Sequence, residues 1–324
     1  MTFAPIIVFA YNRPEHLQKT LTWLGQNEMA DQSVLYIYCD GPKPNATFEQ
    51  KQKIVNTRRV ARELAIVPTF KEVHIIEREM NFGLGTSVIS GVTEVINKHS
   101  RAIILEDDLL TSPFFLKFMN EALDKYQSYP SVFSISANRP PVNRMTIPKN
   151  YEYDVFVSLR PFSTGWATWI DKWKKIDWSL DYLEDFLKHK EQIAAFNRGG
   201  DDLADMLCLQ RDGKIDSWAI RYAFQHFYHH AVAILPCVPY VDNIGFDGTG
   251  IHSGIDDRNY RNNVMLAPSN PRMPNIIYED RRIINTFANN YSRKKRPIWQ
   301  RVINFIYRQF GKQPPFVIKK KVYA

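Results

Sequence analysis

The sequence predicts an α/β fold in which helices cover both faces of a mostly parallel central sheet. In the first third of the chain, short apolar runs alternate with longer helix-like stretches, and turn signals rich in Gly, Pro, Asn and Asp separate them. Strands that alternate with helices form βαβ units, whose strands are parallel. At 324 residues, the chain is long enough for one large domain of this class or for two smaller ones.

The elements of the first third follow one another in a regular order. We expect strands at residues 5–10, 35–39, 73–76 and 102–105, and helices at residues 15–24, 48–64 and 86–97. The breaks between them are Tyr11-Asn12-Arg13-Pro14, Asp40-Gly41-Pro42 and Asn81-Phe82-Gly83-Leu84-Gly85. The fourth strand runs directly into Glu106-Asp107-Asp108.

The pattern changes in the second half of the chain. A Pro-rich connection near residue 140 leads to an aromatic segment at 162–169, a polar helical region at 178–209 and apparent surface loops at 237–275. We therefore divide the chain into residues 1–135, residues 136–280, which belong to the same domain, and a tail at 281–324.

Charge and cysteine content exclude several classes of protein. Ten of the 42 Lys and Arg residues lie from residue 283 onward, where there is no Asp or Glu, so residues 1–282 hold 32 basic and 34 acidic residues. A slightly acidic body argues against nucleic-acid binding. The three cysteines, Cys39, Cys208 and Cys237, form no CxxC pair, which disfavours a zinc site or a disulfide scaffold. We expect a cytoplasmic protein, because the first residues lack the pattern of a signal peptide.

Polar residues follow three of the predicted strands. In parallel sheets, ligands bind beyond the carboxyl ends of the strands, where Arg13, Asp40 and the acids Glu106, Asp107 and Asp108 are all expected. Hard cations such as Mn²⁺ and Mg²⁺ bind oxygen ligands, often one or two carboxylates together with substrate phosphates. The alternative for the three acids is a helix N-terminus, where negative charge is favourable without any function.

The chain resembles glycosyltransferases of the GT-A fold, especially the N-acetylglucosaminyltransferase I family and related bacterial sugar transferases. The resemblance rests on four segments in order: residues 5–14, Tyr38-Cys39-Asp40-Gly41, residues 81–85, and Glu106-Asp107-Asp108-Leu109 followed by Ser112-Pro113-Phe114-Phe115.

The resemblance implies an inverting transfer of a sugar from a nucleotide diphosphate donor, such as UDP-GlcNAc, to the hydroxyl of a glycan or lipid-linked sugar. It also implies that residues 1–135 form the nucleotide-sugar-binding half and residues 136–280 the acceptor-binding half. Within the first half, Arg13 and Asp40 would contact the nucleotide, and Glu106 and Asp107 would contact the donor. Asp108 would ligate Mn²⁺ or Mg²⁺.

The second half of the resemblance concerns the general base. In that family an acid near a Trp-Asp-Asp-Trp-like segment takes this role, and this chain has Asp216-Ser217-Trp218, with one acid missing. Asp216 is the first candidate, and Asp171 and Asp202 follow it. The alternative for Asp216 is a helix N-cap, which Asp favours.

Two further segments suggest binding roles. His252 lies between glycines in a loop and is a candidate to contact the donor when the loop closes, although an ordinary surface histidine explains it equally. Residues 297–310 have the pattern of an amphipathic helix, and clusters of Lys and Arg at 293–296 and 319–321 flank it. This pattern predicts peripheral binding to an anionic membrane through residues 293–324, or a helix docked on the body.

Two other functions compete with sugar transfer. A sugar-nucleotide nucleotidyltransferase also uses metal carboxylates on an α/β sheet, but it is expected to have a Gly-rich basic loop after its first strand, where this chain has Tyr-Asn-Arg-Pro-Glu. The other is a non-catalytic protein that binds carbohydrate or a lipid surface.

Overall fold

The computed structural model describes residues 3–141, 144–248 and 262–291, together with residues 303 and 307. Its strands are β1 (Ile6–Ala10), β2 (Val34–Cys39), β3 (Glu72–Glu77), β4 (Arg101–Glu106), β5 (Leu109–Thr111), β6 (Val132–Ser136), β7 (Val155–Ser158), β8 (Trp166–Trp169), β9 (Val232–Pro236) and β10 (Val241–Asn243). Its α-helices are α1 (Pro14–Gly25), α2 (Phe48–Ala65), α3 (Leu84–His99), α4 (Phe115–Tyr126), α5 (Ile170–Trp173), α6 (Leu183–Phe186), α7 (Lys190–Phe196), α8 (Leu203–Arg211), α9 (Trp218–Tyr228) and α10 (Arg281–Asn289).

Eight strands form one central sheet in the order β3-β2-β1-β4-β8-β6-β9-β7. Strand β1 is parallel to both β2 and β4, and β6 is parallel to β9. Strands β8 and β7 run antiparallel to their neighbours. Because β8 pairs with β4 on one side and β6 on the other, strands from both halves of the chain share the sheet. The predicted α/β class, with a mostly parallel sheet flanked by helices, is confirmed.

The two faces of the sheet are covered by different helices. Along β1, the side chains of Ile6, Val8 and Ala10 pack in a cluster with residues of α1, α2 and α4. The alternating residues Ile7 and Phe9 pack on the opposite face, in a cluster with residues of α3 and α9. Successive side chains of a strand point to opposite faces, so an uninterrupted apolar strand such as β1 is covered on both sides.

Helices α1 and α2 begin at residues whose chemistry favours a helix start. Pro14 is the first residue of α1, a position where its missing N–H costs no hydrogen bond. Thr47 and Gln50 form a reciprocal capping box at the start of α2. Local signals of this kind explain why the first third of the chain follows the expected order of elements.

Two expectations for the second half have different outcomes. The predicted helical region at 178–209 contains α6, α7 and most of α8, as expected, and Gly199 and Gly200, the latter with a φ of 146°, separate α7 from α8. The expectation of loops alone at 237–275 is wrong. The predicted loops at 237–275 contain β10, which pairs antiparallel with β5. A three-residue strand has too little periodicity to be identified without its partner.

Within the described ranges, none of the helices has the length and apolar character needed to cross a membrane.

Candidate active site

The carboxyl ends of three neighbouring strands meet at one edge of the sheet. Strands β1, β2 and β4 are adjacent and parallel, so the segments that follow Ala10, Cys39 and Glu106 emerge together. Arg13, Asp40 and the acids after β4 follow these strand ends, as predicted from their positions in the sequence.

Arg13 binds two of the acids. Its guanidinium forms a hydrogen-bonded ion pair with Asp107 and lies 2.9 Å from Oδ2 of Asp108. The side chain of Arg13 is only 16% exposed, and those of Asp107 and Asp108 are nearly buried. Burial alone would lower the pKa of Arg13, but the two carboxylates raise it, so the guanidinium stays charged.

The site holds more negative than positive charge. Burial, followed by the nearby Asp108 and Asp107 carboxylates, raises the pKa of Glu106. Burial also raises the pKa of Asp107, against the opposing effect of Arg13. Three adjacent carboxyl groups thus share a poorly solvated place, and among the described residues Arg13 is the cation that contacts two of them, Asp107 and Asp108. Such a place favours binding of an additional cation.

The backbone of this acidic turn is held by a buried threonine. Oγ1 of Thr20, on α1, donates to the Asp107 carbonyl at 2.8 Å and accepts from the Leu109 N–H at 3.1 Å. Thr20 is completely buried. Sequence analysis missed this residue, although its position on the same helical face as the buried Leu17, Leu21 and Leu24 is a usable signal.

Asp108 lies against a glycine from the far end of the chain. The Ile244 N–H donates to the Asp108 carbonyl at 2.9 Å, next to the pairing of β10 with β5. A Cβ atom at Gly245 would lie 2.1 Å from Oδ2 of Asp108, so a side chain there would displace the carboxylate. No sequence signal singled out Gly245, because the contact arises from tertiary structure.

The donor set fits a hard divalent cation bound together with a substrate. Among the described residues, Oδ1 of Asp108 is buried and has no hydrogen-bond partner. The same residues contain no group of three or more His, Cys, Asp or Glu side chains arranged around a metal. Mg²⁺ and Mn²⁺ sites of nucleotide-binding enzymes often need only one or two carboxylates, since phosphate oxygens and water complete the coordination. The unpartnered oxygen of Asp108 suits that arrangement.

Asp40 organises the turn that precedes α3. Its carboxylate accepts hydrogen bonds from the N–H groups of Gly41 and Phe82 at 3.0 Å and from Nδ2 of Asn81 at 3.1 Å. A Cβ atom at Gly41 would lie 2.5 Å from the backbone of Met80, so glycine is required for this close approach. In the structure Asp40 therefore fixes the end of β2 to the turn at residues 81–85, one of the four segments on which the resemblance rests.

Asp216 lies next to that same turn. Its Oδ1 is 3.1 Å from the position of a Cβ atom at Gly85, and it pairs with Nη2 of Arg221 at 3.4 Å. The N-cap of α9 is Ser217, whose side chain accepts from the Ile220 N–H. The N-cap alternative for Asp216 is therefore wrong, and its carboxylate, which is 66% exposed, is accessible to a substrate.

Trp218, two residues after Asp216, packs in the protein core. Trp218 is 4% exposed and stacks on Trp166, with 5.1 Å between ring centroids. Tyr222 and Trp173 complete the same aromatic cluster between α9 and the sheet. The ring belongs to the core because an indole at the start of an amphipathic helix points toward the sheet.

The other candidate bases occupy different environments. Asp171 is exposed and pairs with Nζ of Lys172 at 2.8 Å. Asp202 is 1% exposed and pairs with Nη1 of Arg160 at 2.8 Å, which makes it less accessible than Asp216. His252 lies outside the described residues.

Neither a protein-family model nor a curated protein sequence matches the chain. Similar solved structures include residues 1–349 of S. aureus TarS, with a TM-score of 0.41 and 11% identity over 73% of this chain and 59% of that chain. Apo UDP-glucose pyrophosphorylase has a TM-score of 0.38 and 12% identity over 74% and 93% of the two chains.

Mouse xyloside xylosyltransferase 1 is a third similar structure, with a TM-score of 0.36 and 12% identity over 69% of this chain and 80% of that chain. Similarities at this level do not assign a function.

Proposed function

We propose that the protein is a metal-dependent glycosyltransferase of the GT-A type, which transfers a sugar from a nucleotide diphosphate donor to an acceptor hydroxyl. The proposed donor is a UDP-sugar. One observation carries the proposal: Arg13, Asp107 and Asp108 converge at the carboxyl ends of β1 and β4. Gly245 has no side chain that would displace the Asp108 carboxylate from this arrangement. The resemblance to the N-acetylglucosaminyltransferase I family supports a hexosyl or N-acetylhexosaminyl group as the sugar.

The charge of the site supports the need for a metal. A diphosphate would be repelled by the acids after β4, because Arg13 offsets only part of their charge. Asp108, through its unpartnered Oδ1, would hold Mn²⁺ or Mg²⁺ together with the donor phosphates. The metal would neutralise the negative charge that develops on the departing nucleotide diphosphate.

The protein residues have separate roles in this proposal. Arg13 holds the carboxylates of Asp107 and Asp108 in place and adds positive charge near the diphosphate. Asp40 shapes the turn at residues 81–85, which borders the nucleotide. The donor is contacted by Glu106, Asp107 and His252.

Asp216 is the proposed general base. Inverting transfer needs a carboxylate that accepts the proton of the acceptor hydroxyl while this oxygen attacks the anomeric carbon and the nucleotide diphosphate leaves. The exposed carboxylate of Asp216, next to the turn at residues 81–85, meets the need for access.

The acceptor and the location of the protein complete the proposal. We propose a glycan or lipid-linked sugar as the acceptor, and a cytoplasmic protein that binds anionic membrane surfaces through residues 293–324. The division into residues 1–135, 136–280 and 281–324 remains part of the same proposal.

The proposed activity can be tested with a panel of nucleotide sugars, in Mn²⁺ and in a chelator. Thermal unfolding reports binding, since a ligand stabilises the folded state in proportion to the logarithm of its concentration over its dissociation constant. Release of free nucleotide reports slow donor hydrolysis. We expect one base to stabilise the protein only with metal and its sugar nucleotide to be hydrolysed. Binding without any nucleotide release would indicate a non-catalytic protein. If added pyrophosphate converts the nucleotide sugar to sugar 1-phosphate and nucleoside triphosphate, the protein is a nucleotidyltransferase.

A further inference from the structure

A cavity of about 330 Å³ lies between the segment at 178–184, the end of α8 and the exposed side of α9. Among its lining residues are Trp178, Glu184, Gln210, Arg211 and Arg221. Its volume is at the lower end of the range of roughly 300–1,000 Å³ that is typical of small-molecule sites. None of these residues has a role in the donor site described above.

Arg221 is a poorly compensated cation on the wall of this cavity. Its side chain is 17% exposed, and its described ion-pair partner is the exposed Asp216, at 3.4 Å. Its Nε atom is buried and has no hydrogen-bond partner among the described residues. The guanidinium is thus largely desolvated while its described ion pair is long, so an anion that contacted its accessible part would be favoured.

A second arginine and an indole ring complete the recognition surface. Arg211 is 39% exposed, contacts Asp212 at 2.8 Å and lies 3.7 Å from Glu184. The partly exposed Trp178 has the Arg221 guanidinium 5.9 Å from its ring centroid. Two arginines and an indole that line one cavity fit a ring-shaped ligand with a negative group, because the ring packs on the indole while the arginines bind the charge.

The cavity is adjacent to the proposed centre of reaction. Arg221 pairs with Asp216, the proposed base, and its Nη2 lies 3.2 Å from the position of a Cβ atom at Gly85. Gln210 on the opposite wall accepts a hydrogen bond from the Ser217 N–H at 2.6 Å, which fixes the chain between α8 and α9. A ligand in the cavity would thus lie beside Asp216.

We propose that this cavity binds the acceptor, and that the acceptor is an anionic saccharide whose sugar ring carries a phosphate or a carboxylate. Arg221 and Arg211 bind the negative group, and Trp178 packs against the ring. This inference rests on the proposed glycosyltransferase function, and it selects acidic or phosphorylated glycans from among the possible acceptors.

The proposal is tested by equilibrium binding to the full chain, measured by calorimetry with and without UDP and Mn²⁺. The probes are glucose 6-phosphate, glucuronic acid, glucose and inorganic phosphate. We expect the two charged sugars to bind at least about tenfold more tightly than glucose, since charge-assisted hydrogen bonds contribute most of the affinity. They should also bind more tightly than inorganic phosphate, which cannot pack on Trp178.

Matched variants test the arginines. Arg211→Gln should weaken binding of the charged sugars by about tenfold and leave the affinity for glucose unchanged. Arg221→Lys keeps the positive charge but loses the planar guanidinium with its paired N–H donors. It should therefore weaken binding of the same two charged sugars. Arg59→Gln removes an arginine that pairs with Glu63 elsewhere on the surface and should have no effect. Thermal unfolding of each variant verifies that it is folded.

Three results would overturn the proposal: equal affinity for glucose and its charged analogues, unchanged affinity in Arg211→Gln, or equal affinity for inorganic phosphate and glucose 6-phosphate. These measurements do not depend on donor turnover. If wild-type protein binds the charged sugars but neither binds nor hydrolyses a nucleotide sugar, the proposed function fails while the anionic cavity stands.

Discussion

Gly245 lies so close to Asp108 that a Cβ atom added to it would overlap Oδ2 of the carboxylate, although the two residues belong to opposite halves of the chain. The Ile244 N–H also donates to the Asp108 carbonyl at 2.9 Å. Glycine at this position therefore permits the Asp108 carboxylate to keep the orientation in which it pairs with Arg13 at 2.9 Å.

Gly245→Ala should weaken metal-dependent binding of the nucleotide diphosphate by about tenfold or more, because the added methyl group displaces a proposed metal ligand. Titration of nucleotide in Mn²⁺, followed by thermal unfolding, measures this. Gly213→Asn is the control, since a Cβ atom there meets no other atom within 4 Å. Normal nucleotide affinity in Gly245→Ala would show that the carboxylate moves without consequence.

Asp108→Asn should abolish the stabilisation that Mn²⁺ and nucleotide diphosphate confer together, while the protein stays folded. The amide removes the negative charge of a hard-cation ligand without changing the side-chain size. The unfolding midpoint is compared with that of Asp212→Asn, which alters a carboxylate paired with Arg211 and Lys214 far from the strand ends. Retention of the metal effect in Asp108→Asn would place the metal elsewhere.

Asp216→Asn should leave donor affinity nearly unchanged and reduce transfer to the acceptor by about 10²–10⁴-fold, the usual contribution of a general base. Transfer rates at saturating donor provide the measurement, once an acceptor is identified. Because Ser217 caps α9, the variant should lose little stability. If Asp171→Asn or Asp202→Asn is inactive while Asp216→Asn is not, the base is one of those residues.

The buried His226 should lower the free energy of unfolding in mild acid relative to neutral pH. Burial lowers its pKa from the ordinary 6.5 to about 4, and the ring lies between the Tyr222 carbonyl and the Ser134 hydroxyl, each at 2.9 Å. Between these two pH values the unfolded chain binds a proton that the folded chain does not, so stability falls as the pH decreases from 6.5 toward 4. By pH 5 the loss should be about 1–2 kcal/mol.

Denaturant unfolding between pH 7 and 5 tests this prediction. His226→Gln should show a smaller loss of stability than wild type over that interval, whereas the exposed His189→Gln should behave like wild type. An identical pH dependence in wild type and His226→Gln would contradict the prediction.

Truncation after residue 292 should leave donor hydrolysis intact and weaken binding to anionic vesicles, because it removes the ten cations of the tail. The cut keeps α10, whose Ile283, Ile284 and Phe287 are buried in the body. Vesicle sedimentation with anionic and neutral lipid measures the effect. Unfolding of the truncated protein would instead support a tail docked on the body.

The sequence by itself determined the order of strands and helices from β1 to β4. Strand β1 and the helix that begins at Pro14 follow from apolar runs, helical periodicity and a proline, which act over a few residues. The place of Arg13, Asp40 and the acids after β4 also follows, because parallel strands present their carboxyl ends at one edge.

Only the tertiary structure decided the details that complete the site. Segments far apart in sequence meet where Gly245 approaches Asp108 and where Thr20 hydrogen-bonds to the acidic turn. Such segments also bury Trp218. The short strand β10 and the cavity beside Arg221 arise in the same way. Periodicity and turn chemistry report the local conformation of the chain, whereas these contacts depend on how complete elements pack against one another.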